Sequence, residues 1–207
     1  MTHHDLATVQ RELSNLRQRV EQLEEEAVAA EPLSREWTQR YYLSYYATTG
    51  FFLGTIGAVT SLVFNIVGSL FVGQHPLQLI RVYLTFGLGE RALRPELESE
   101  LALGIGCCLY IATGMLLGVL FQVVLSRFAD KSPLLNRLVI ASVLGLAVWI
   151  CNYYLLLSWL QPLLFGGNWI VRLIPWWVAA LTHLIFGWTM ALVYPLGRYE
   201  PYQVRTE

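Results

Sequence analysis

The sequence predicts an all-α integral membrane protein with four transmembrane helices, an N-terminal coiled-coil helix and one interfacial helix. Of its 207 residues, 55% are hydrophobic and only 14% are charged, whereas a soluble domain carries about a quarter charged residues. The first 40 residues hold 13 of the 29 charges, so we expect a polar segment in water and an apolar domain in lipid. With a net charge of −1 and no basic stripe, the chain is predicted to have no nucleic-acid partner.

Heptad spacing over residues 6–30 predicts the coiled coil. Apolar side chains recur there in steps of three and four, as in a coiled-coil seam. The seam consists of Leu6, Val9, Leu13, Leu16, Val20 and Leu23, and continues through Ala27 and Ala30. In a parallel dimer the flanking charges attract in two pairs, Glu12 with Arg17 and Arg19 with Glu24, and repel in one, Glu26 with Glu31. The seam predicts self-association or recruitment of a partner; the alternative is an isolated amphipathic helix, or one packed along another protein.

The segment after the coil is typical of a membrane entry point. Pro32 is predicted to end the first helix, and Ser34 to cap a new one. Trp37, Tyr41 and Tyr45 then follow at spacings of four, and such amphipathic rings concentrate at the membrane–water interface. The predicted domains are a cytoplasmic coiled-coil segment (1–34), a transmembrane domain (35–198) and a cytoplasmic tail (199–207).

Four apolar segments have the length of about 20 residues that a helix needs to cross a hydrocarbon core. Their approximate limits are 47–71, 101–126, 138–160 and 173–194, and each is free of Asp, Glu, Lys and Arg. Lipid offers the backbone no hydrogen-bond partner, so each segment is predicted to be a helix and not an open strand.

A shorter helix is predicted over about 76–87, between the first two spans. Its polar residues Gln78, Arg81 and Thr85 fall at helical spacing and form a narrow stripe on the face opposite its leucines. The segment is too short to span, so an interfacial or partly re-entrant position is predicted.

Basic residues near the ends of the spans predict the orientation. One side of the membrane holds the termini and the loop between the second and third spans, and its basic residues are Arg35, Arg40, Arg127, Lys131, Arg137, Arg198 and Arg205. The other side has Arg81, Arg91, Arg94 and Arg172. Cytoplasmic loops are enriched in Lys and Arg. Both termini are therefore predicted to be cytoplasmic, in a multi-pass protein of the cell (plasma or inner) membrane.

Two pairs of glycines predict close helix packing. Gly50 and Gly54 lie four residues apart in the first span, and Gly114 and Gly118 do so in the second. Apolar burial drives helix association only weakly in lipid, and small residues let two backbones approach closely. We expect both pairs to lie at helix contacts, either within one chain or between chains.

Three polar residues lie deep in the predicted spans: Asn65, Asn152 and His183. At a rise of about 1.5 Å per residue, His183 and Asn152 lie about 15 Å and about 12 Å from the same end of their antiparallel helices. Because their depths are similar, we predict a hydrogen bond between them that joins the last two spans.

No catalytic residue, cofactor or metal site is predicted. The spans carry no carboxylate of the kind that proton and cation transport use, and one intramembrane histidine supplies only one axial ligand of a haem. Cys107, Cys108 and Cys151 lie in apolar runs and are interpreted as buried thiols.

The predicted function is structural and not enzymatic. The chain is expected to act as a scaffold or accessory subunit in membrane lipid, as a homo-oligomer or with a membrane-complex partner bound through the coiled coil. The alternative is a small transporter or channel with a pathway past Asn152 and His183.

Overall fold

The computed structural model describes residues 3–71, 73, 75–94 and 100–199. Within these ranges it describes the side chains of all residues except 3–11, 25, 27–40 and 100. These ranges are helical and contain no strand, as predicted. The α-helices are α1 His3–Phe71, α2 Gln78–Leu88, α3 Glu100–Phe128, α4 Leu134–Ile150, α5 Ser158–Phe165, α6 Trp169–Leu173 and α7 Trp176–Val193. A π-helical segment, Cys151–Leu157, joins α4 to α5, and 3₁₀ turns follow α2 at Gly89–Leu93 and α7 at Tyr194–Gly197.

Four helical segments are long and apolar enough to cross a membrane, in agreement with the predicted number of spans. They are Tyr41–Phe71, Leu101–Phe128, Leu134–Phe165 and Trp176–Gly197, with mean hydropathies between 1.5 and 2.2. The fourth begins three residues later than predicted. Pro175 adopts an extended conformation immediately before it, with φ −56° and ψ 137°, and so separates it from α6.

The predicted helix break at Pro32 is wrong, because α1 runs without interruption from His3 to Phe71. A proline inside a helix removes one backbone N–H and crowds the preceding turn. The residues before it, Ala27 to Glu31, are mostly alanine and glutamate, which are strong helix formers and carry the helix through. Ser34 accordingly lies inside α1 and does not cap a new helix.

The chain divides into two compact units, Met1–Ser44 and Tyr45–Glu207. In the first, every described side chain is exposed. The second contains a core around Phe121, Phe186 and Met190. The two phenylalanine rings meet edge to face with centroids 5.3 Å apart, a favourable geometry for aromatic pairs.

Glycines hold α1 and α3 at a close, antiparallel crossing. A Cβ atom on Gly50 would lie 2.6 Å from the carbonyl oxygen of Gly118, and one on Gly54 would lie 2.5 Å from that of Gly114. A real Cβ does not approach a backbone oxygen so closely, so only glycine permits this contact. The two glycine pairs seen in the sequence therefore face each other within one chain.

A second close crossing joins α4 to α7. A Cβ on Gly145 would lie 2.9 Å from the carbonyl oxygen of His183, and one on Gly187 would lie 2.8 Å from that of Ala141. Each glycine has an alanine four residues away, Ala141 and Ala191, so small-residue pairs mark this crossing as well, although it was not among the predicted packing positions. The crossing brings the backbone around His183 directly against α4.

The third span departs from regular α-helix at Cys151–Leu157, where its turns are π-helical. Such turns are rare and often occur at functional sites. Tyr153 in this segment is buried, and its hydroxyl lies 2.8 Å from the carbonyl oxygen of Val171 and 2.6 Å from that of Ile174. These contacts satisfy carbonyl groups at the end of α6 and fix α6 against the span.

α2 forms where the sequence predicts a short helix, but its polar stripe does not face away from the protein along its whole length. Thr85 is fully buried, because Gln161 of α5 provides a hydrogen-bond partner. The Nε2 atom of Gln161 donates to Oγ1 of Thr85 at 2.9 Å, and its Oε1 atom accepts from the backbone N–H of Ile170 at 3.1 Å. One buried glutamine thus joins α2, α5 and α6.

Candidate functional site

The second unit contains a cavity of about 330 Å³ between α2, α3, the π-helical segment, α5, α6 and α7. Most of its walls are apolar side chains such as Leu79, Leu117 and Phe186. The polar side chains that line it are Tyr83, Tyr110, Thr113, Asn152, Tyr153, Thr182 and His183. None of the described residues around it carries a formal charge, so the cavity is suited to an uncharged molecule.

His183 and Asn152 meet on the wall of this cavity. The Nε2 atom of His183 lies 3.5 Å from Nδ2 of Asn152, and its Nδ1 atom lies 2.8 Å from the carbonyl oxygen of Ala179. Since a carbonyl oxygen only accepts, Nδ1 carries the proton and Nε2 accepts from the Asn152 amide. The structure therefore contains the contact between the last two spans that was expected from the depths of the two residues.

The local backbone explains how both side chains reach the cavity. Asn152 is the second residue of the π-helical segment, whose wider turns change the direction of side chains relative to the α-helical part of the span. Gly145 of α4 leaves room for the backbone of α7 at His183. The imidazole and the amide are both half-buried, so neither is sealed from the cavity.

Asn65, the third predicted polar residue, lies in a separate contact between α1 and α7. It is 7% exposed, and its Nδ2 atom donates to the carbonyl oxygen of Ser61 at 2.7 Å. Its amide also pairs with the hydroxyl of Thr182, with Nδ2 and Oγ1 3.0 Å apart. Thr182 lines the cavity beside His183, so Asn65 supports the wall without itself lining it.

Besides Tyr153, two tyrosines on the cavity wall were not recognised from the sequence. The hydroxyl of Tyr83 lies 2.5 Å from Oγ1 of Thr113, and that of Tyr110 lies 2.9 Å from Oγ of Ser61. Their rings meet edge to face with centroids 5.6 Å apart. Burial raises the pKa of Tyr83, and the hydrogen bond with Thr113 lowers it by less, so this phenol stays protonated well above neutral pH.

The cavity has the chemistry of a binding site for a small, uncharged molecule. Its volume is at the lower end of the roughly 300–1,000 Å³ typical of small-molecule sites, which also combine apolar walls with a few polar groups. Leu156 and Thr113 of its lining are exposed and belong to candidate spans. The cavity therefore reaches the surface of these helices.

The coiled-coil seam forms an exposed apolar stripe where the structure describes its side chains. Leu16 and Leu23 are 64% and 59% exposed, and Leu13 and Val20 are 47% and 53% exposed. Leu6 and Val9, also predicted for the seam, lie outside the residues whose side chains are described. An apolar stripe of this kind is available to a partner helix.

The cysteines differ from their interpretation as buried thiols. Cys108 and Cys151 are exposed and Cys107 is partly buried, and all three are free. In an apolar helix an exposed thiol faces lipid, which accepts a weakly polar group at little cost. In the part of the chain that the structure describes, no group of three His, Cys, Asp or Glu residues is arranged to hold a metal ion.

Comparison with protein families, curated proteins and solved structures finds no match for this chain.

Proposed function

We propose that this protein is a multi-pass membrane scaffold or accessory subunit that self-associates through the seam of residues 6–30. The observation that carries the proposal is the exposed stripe of Leu13, Leu16, Val20 and Leu23 on α1. Full burial of one such side chain stabilises an assembly by about 1.5–3 kcal/mol. A partner helix that covers the stripe therefore gains apolar burial at four successive seam positions.

Charge complementarity makes a second copy of the chain the proposed occupant of the stripe. Glu12, Arg17, Arg19 and Glu24 flank the seam and are all exposed. In a parallel pair of chains, Glu12 meets Arg17 and Arg19 meets Glu24 of the other copy. Such exposed ion pairs contribute well under about 1 kcal/mol each, so they select the parallel register while the leucines supply the affinity.

The proposed setting is the cell membrane, with the seam and both termini in the cytoplasm. The excess of basic residues at the ends of the spans on that side supports this orientation. Confinement to a membrane supports the association as well, because it raises the local concentration of the two seams.

The test is the oligomeric state of the full chain in mild detergent, measured by light scattering coupled to size-exclusion chromatography. The double substitution Leu16→Lys and Leu23→Lys places two charges in the seam and is expected to give monomers. Gln18→Lys with Gln22→Lys adds the same two charges outside the seam and is expected to leave the oligomer intact. Equal masses for the two double variants would contradict the proposal.

A second candidate function is passage of a small uncharged solute, and the cavity beside Asn152 and His183 favours it. Stopped-flow swelling of proteoliposomes in glycerol or urea tests this function. Under this candidate, the purified chain accelerates swelling and His183→Leu abolishes the acceleration without loss of folded protein. Leu155→Ala, which lies outside the cavity lining, serves as the control. Swelling no faster than in empty liposomes would exclude the passage of these solutes.

A further inference from the structure

A second, polar pocket lies where three candidate spans end. It has a volume of about 180 Å³ and is lined by Asp130, Lys131, Ser132, Arg137, Tyr194 and Arg198. The span ending at Phe128, the one beginning at Leu134 and the one ending at Gly197 all reach this point. The pocket therefore lies at the depth of the lipid headgroups.

Asp130 is already engaged by groups of the pocket itself. One of its carboxylate oxygens accepts a hydrogen bond from the hydroxyl of Tyr194 at 2.7 Å and lies 3.2 Å from Nε of Arg198. The carboxylate thus holds Arg198 in place. Three cationic residues, Lys131, Arg137 and Arg198, line the pocket with this one anionic residue, so two of the three positive charges are not compensated by it. The pocket retains a net positive charge.

Arg137 has an unmet requirement for a hydrogen-bond acceptor. Its Nε atom is buried and has no partner among the described residues. The guanidinium carbon lies 5.8 Å from the centre of the Tyr194 ring, a cation–π distance that orients the group. A buried donor left without an acceptor is destabilising, and an anionic oxygen in the pocket would satisfy it.

We infer that this pocket binds a phosphate group. Arginine and lysine together recognise phosphate through charge-assisted hydrogen bonds, and basic pockets between transmembrane helices bind phospholipid headgroups. The pocket also lies at the first turn of α4, where the helix dipole favours an anion. Its volume of about 180 Å³ leaves room for one phosphate group. The same oxyanion occurs in membrane lipids and in soluble phosphates.

Native mass spectrometry of the full chain tests the lipid source. The detergent-purified protein is offered equal amounts of phosphatidylglycerol and phosphatidylcholine, and we expect the anionic lipid to be retained in preference. Arg137→Gln is expected to reduce that preference about tenfold, as for the loss of one charge-assisted hydrogen bond in the pocket. Arg137→Lys keeps the charge without the planar guanidinium and is expected to reduce it less.

The control is Arg127→Gln, since Arg127 is exposed near the same end of α3 and does not line the pocket. It removes the same charge and is expected to preserve the preference. Lys131→Gln, at an exposed position of the pocket, replaces Arg137→Gln if the latter does not fold. Equal losses in the Arg127 and pocket variants would overturn the inference, because general surface charge would then explain the binding.

Inorganic phosphate distinguishes the soluble source. If the pocket serves a soluble phosphate, millimolar phosphate raises the melting temperature of the full chain, Arg137→Gln abolishes the rise, and no preference for phosphatidylglycerol is seen. If the pocket serves lipid, the lipid preference depends on Arg137 as above. Independence of both measurements from Arg137 and from Lys131 would overturn the inference.

Discussion

At the scale of single residues, polar side chains in an apolar span are retained where each finds a partner. His183 bonds to the carbonyl oxygen of Ala179 and to Asn152, and Asn65 bonds to Ser61 and Thr182. Lipid supplies no hydrogen bonds, so an unpaired group there is costly. Depth along the helix is enough to predict the pairing of His183 with Asn152 from the sequence. It does not predict the π-helical segment in which Asn152 lies, because the turn type is not set by depth or hydropathy.

The pairing of His183 with Asn152 predicts a coupled loss of stability. His183→Leu is expected to lower the free energy of unfolding in detergent by about 1 kcal/mol, which is typical of a hydrogen bond between transmembrane helices. Asn152→Leu should cost a similar amount, and the double variant should cost less than the sum of the two. Thermal unfolding of the three purified variants measures the coupling. Strict additivity of the two substitutions would contradict a direct interaction.

At the scale of elements, close helix crossings define the arrangement of the spans. α1 crosses α3 at Gly54 and Gly118, and α4 crosses α7 at Gly145 and Gly187. The first crossing could be anticipated from the spacing of its glycines, although the sequence left open whether it lies within one chain. The second carries a similar signal, Ala141 with Gly145 and Gly187 with Ala191, but each of these pairs contains only one glycine and neither was predicted as a packing position.

The boundaries of elements were predictable where length and hydropathy determine them. The number of spans and the position of α2 follow from such patterns, since each needs only local composition. Pro32 shows the limit of local rules: its helix-breaking tendency is real, but α1 continues through it. The fully buried Thr85 shows another limit, because Gln161, its partner, is 76 residues away.

The crossing of α1 and α3 predicts that glycine substitutions differ sharply along one helix. A Cβ on Gly118 would lie 2.5 Å from the Cα atom of Gly54, whereas one on Gly104 would meet nothing within 4 Å. Gly118→Ala is expected to lower the free energy of unfolding by about 1–3 kcal/mol through overpacking. Gly104→Ala should be neutral or slightly stabilising, because alanine is the better helix former. Urea or thermal unfolding in the same detergent compares the two, and similar effects at both sites would argue against this crossing.

At the scale of the whole molecule, the basic residues that are proposed to orient the four spans overlap with those that line the phosphate pocket. Four crossings return the chain to its starting side, whichever side that is. The basic residues of the phosphate pocket, Lys131, Arg137 and Arg198, belong to the side with the excess of positive charge. The charge that is proposed to orient the protein is therefore partly the same charge that is proposed to bind an anionic headgroup.

This link predicts the outcome of accessibility labelling. In a background with Cys107, Cys108 and Cys151 replaced by alanine, single cysteines are introduced as Thr2→Cys near the N-terminus and Arg94→Cys in the loop after α2, where Arg94 is exposed. A membrane-impermeant maleimide applied to intact cells is expected to label Arg94→Cys, and to label Thr2→Cys only after permeabilisation, since basic ends remain in the cytoplasm.

A cysteine added after Glu207 should behave like Thr2→Cys because four spans place both ends on one face. Labelling of the two ends from opposite faces would be incompatible with four crossings, whereas the reverse pattern at all three positions would preserve the four spans and invert the proposed orientation.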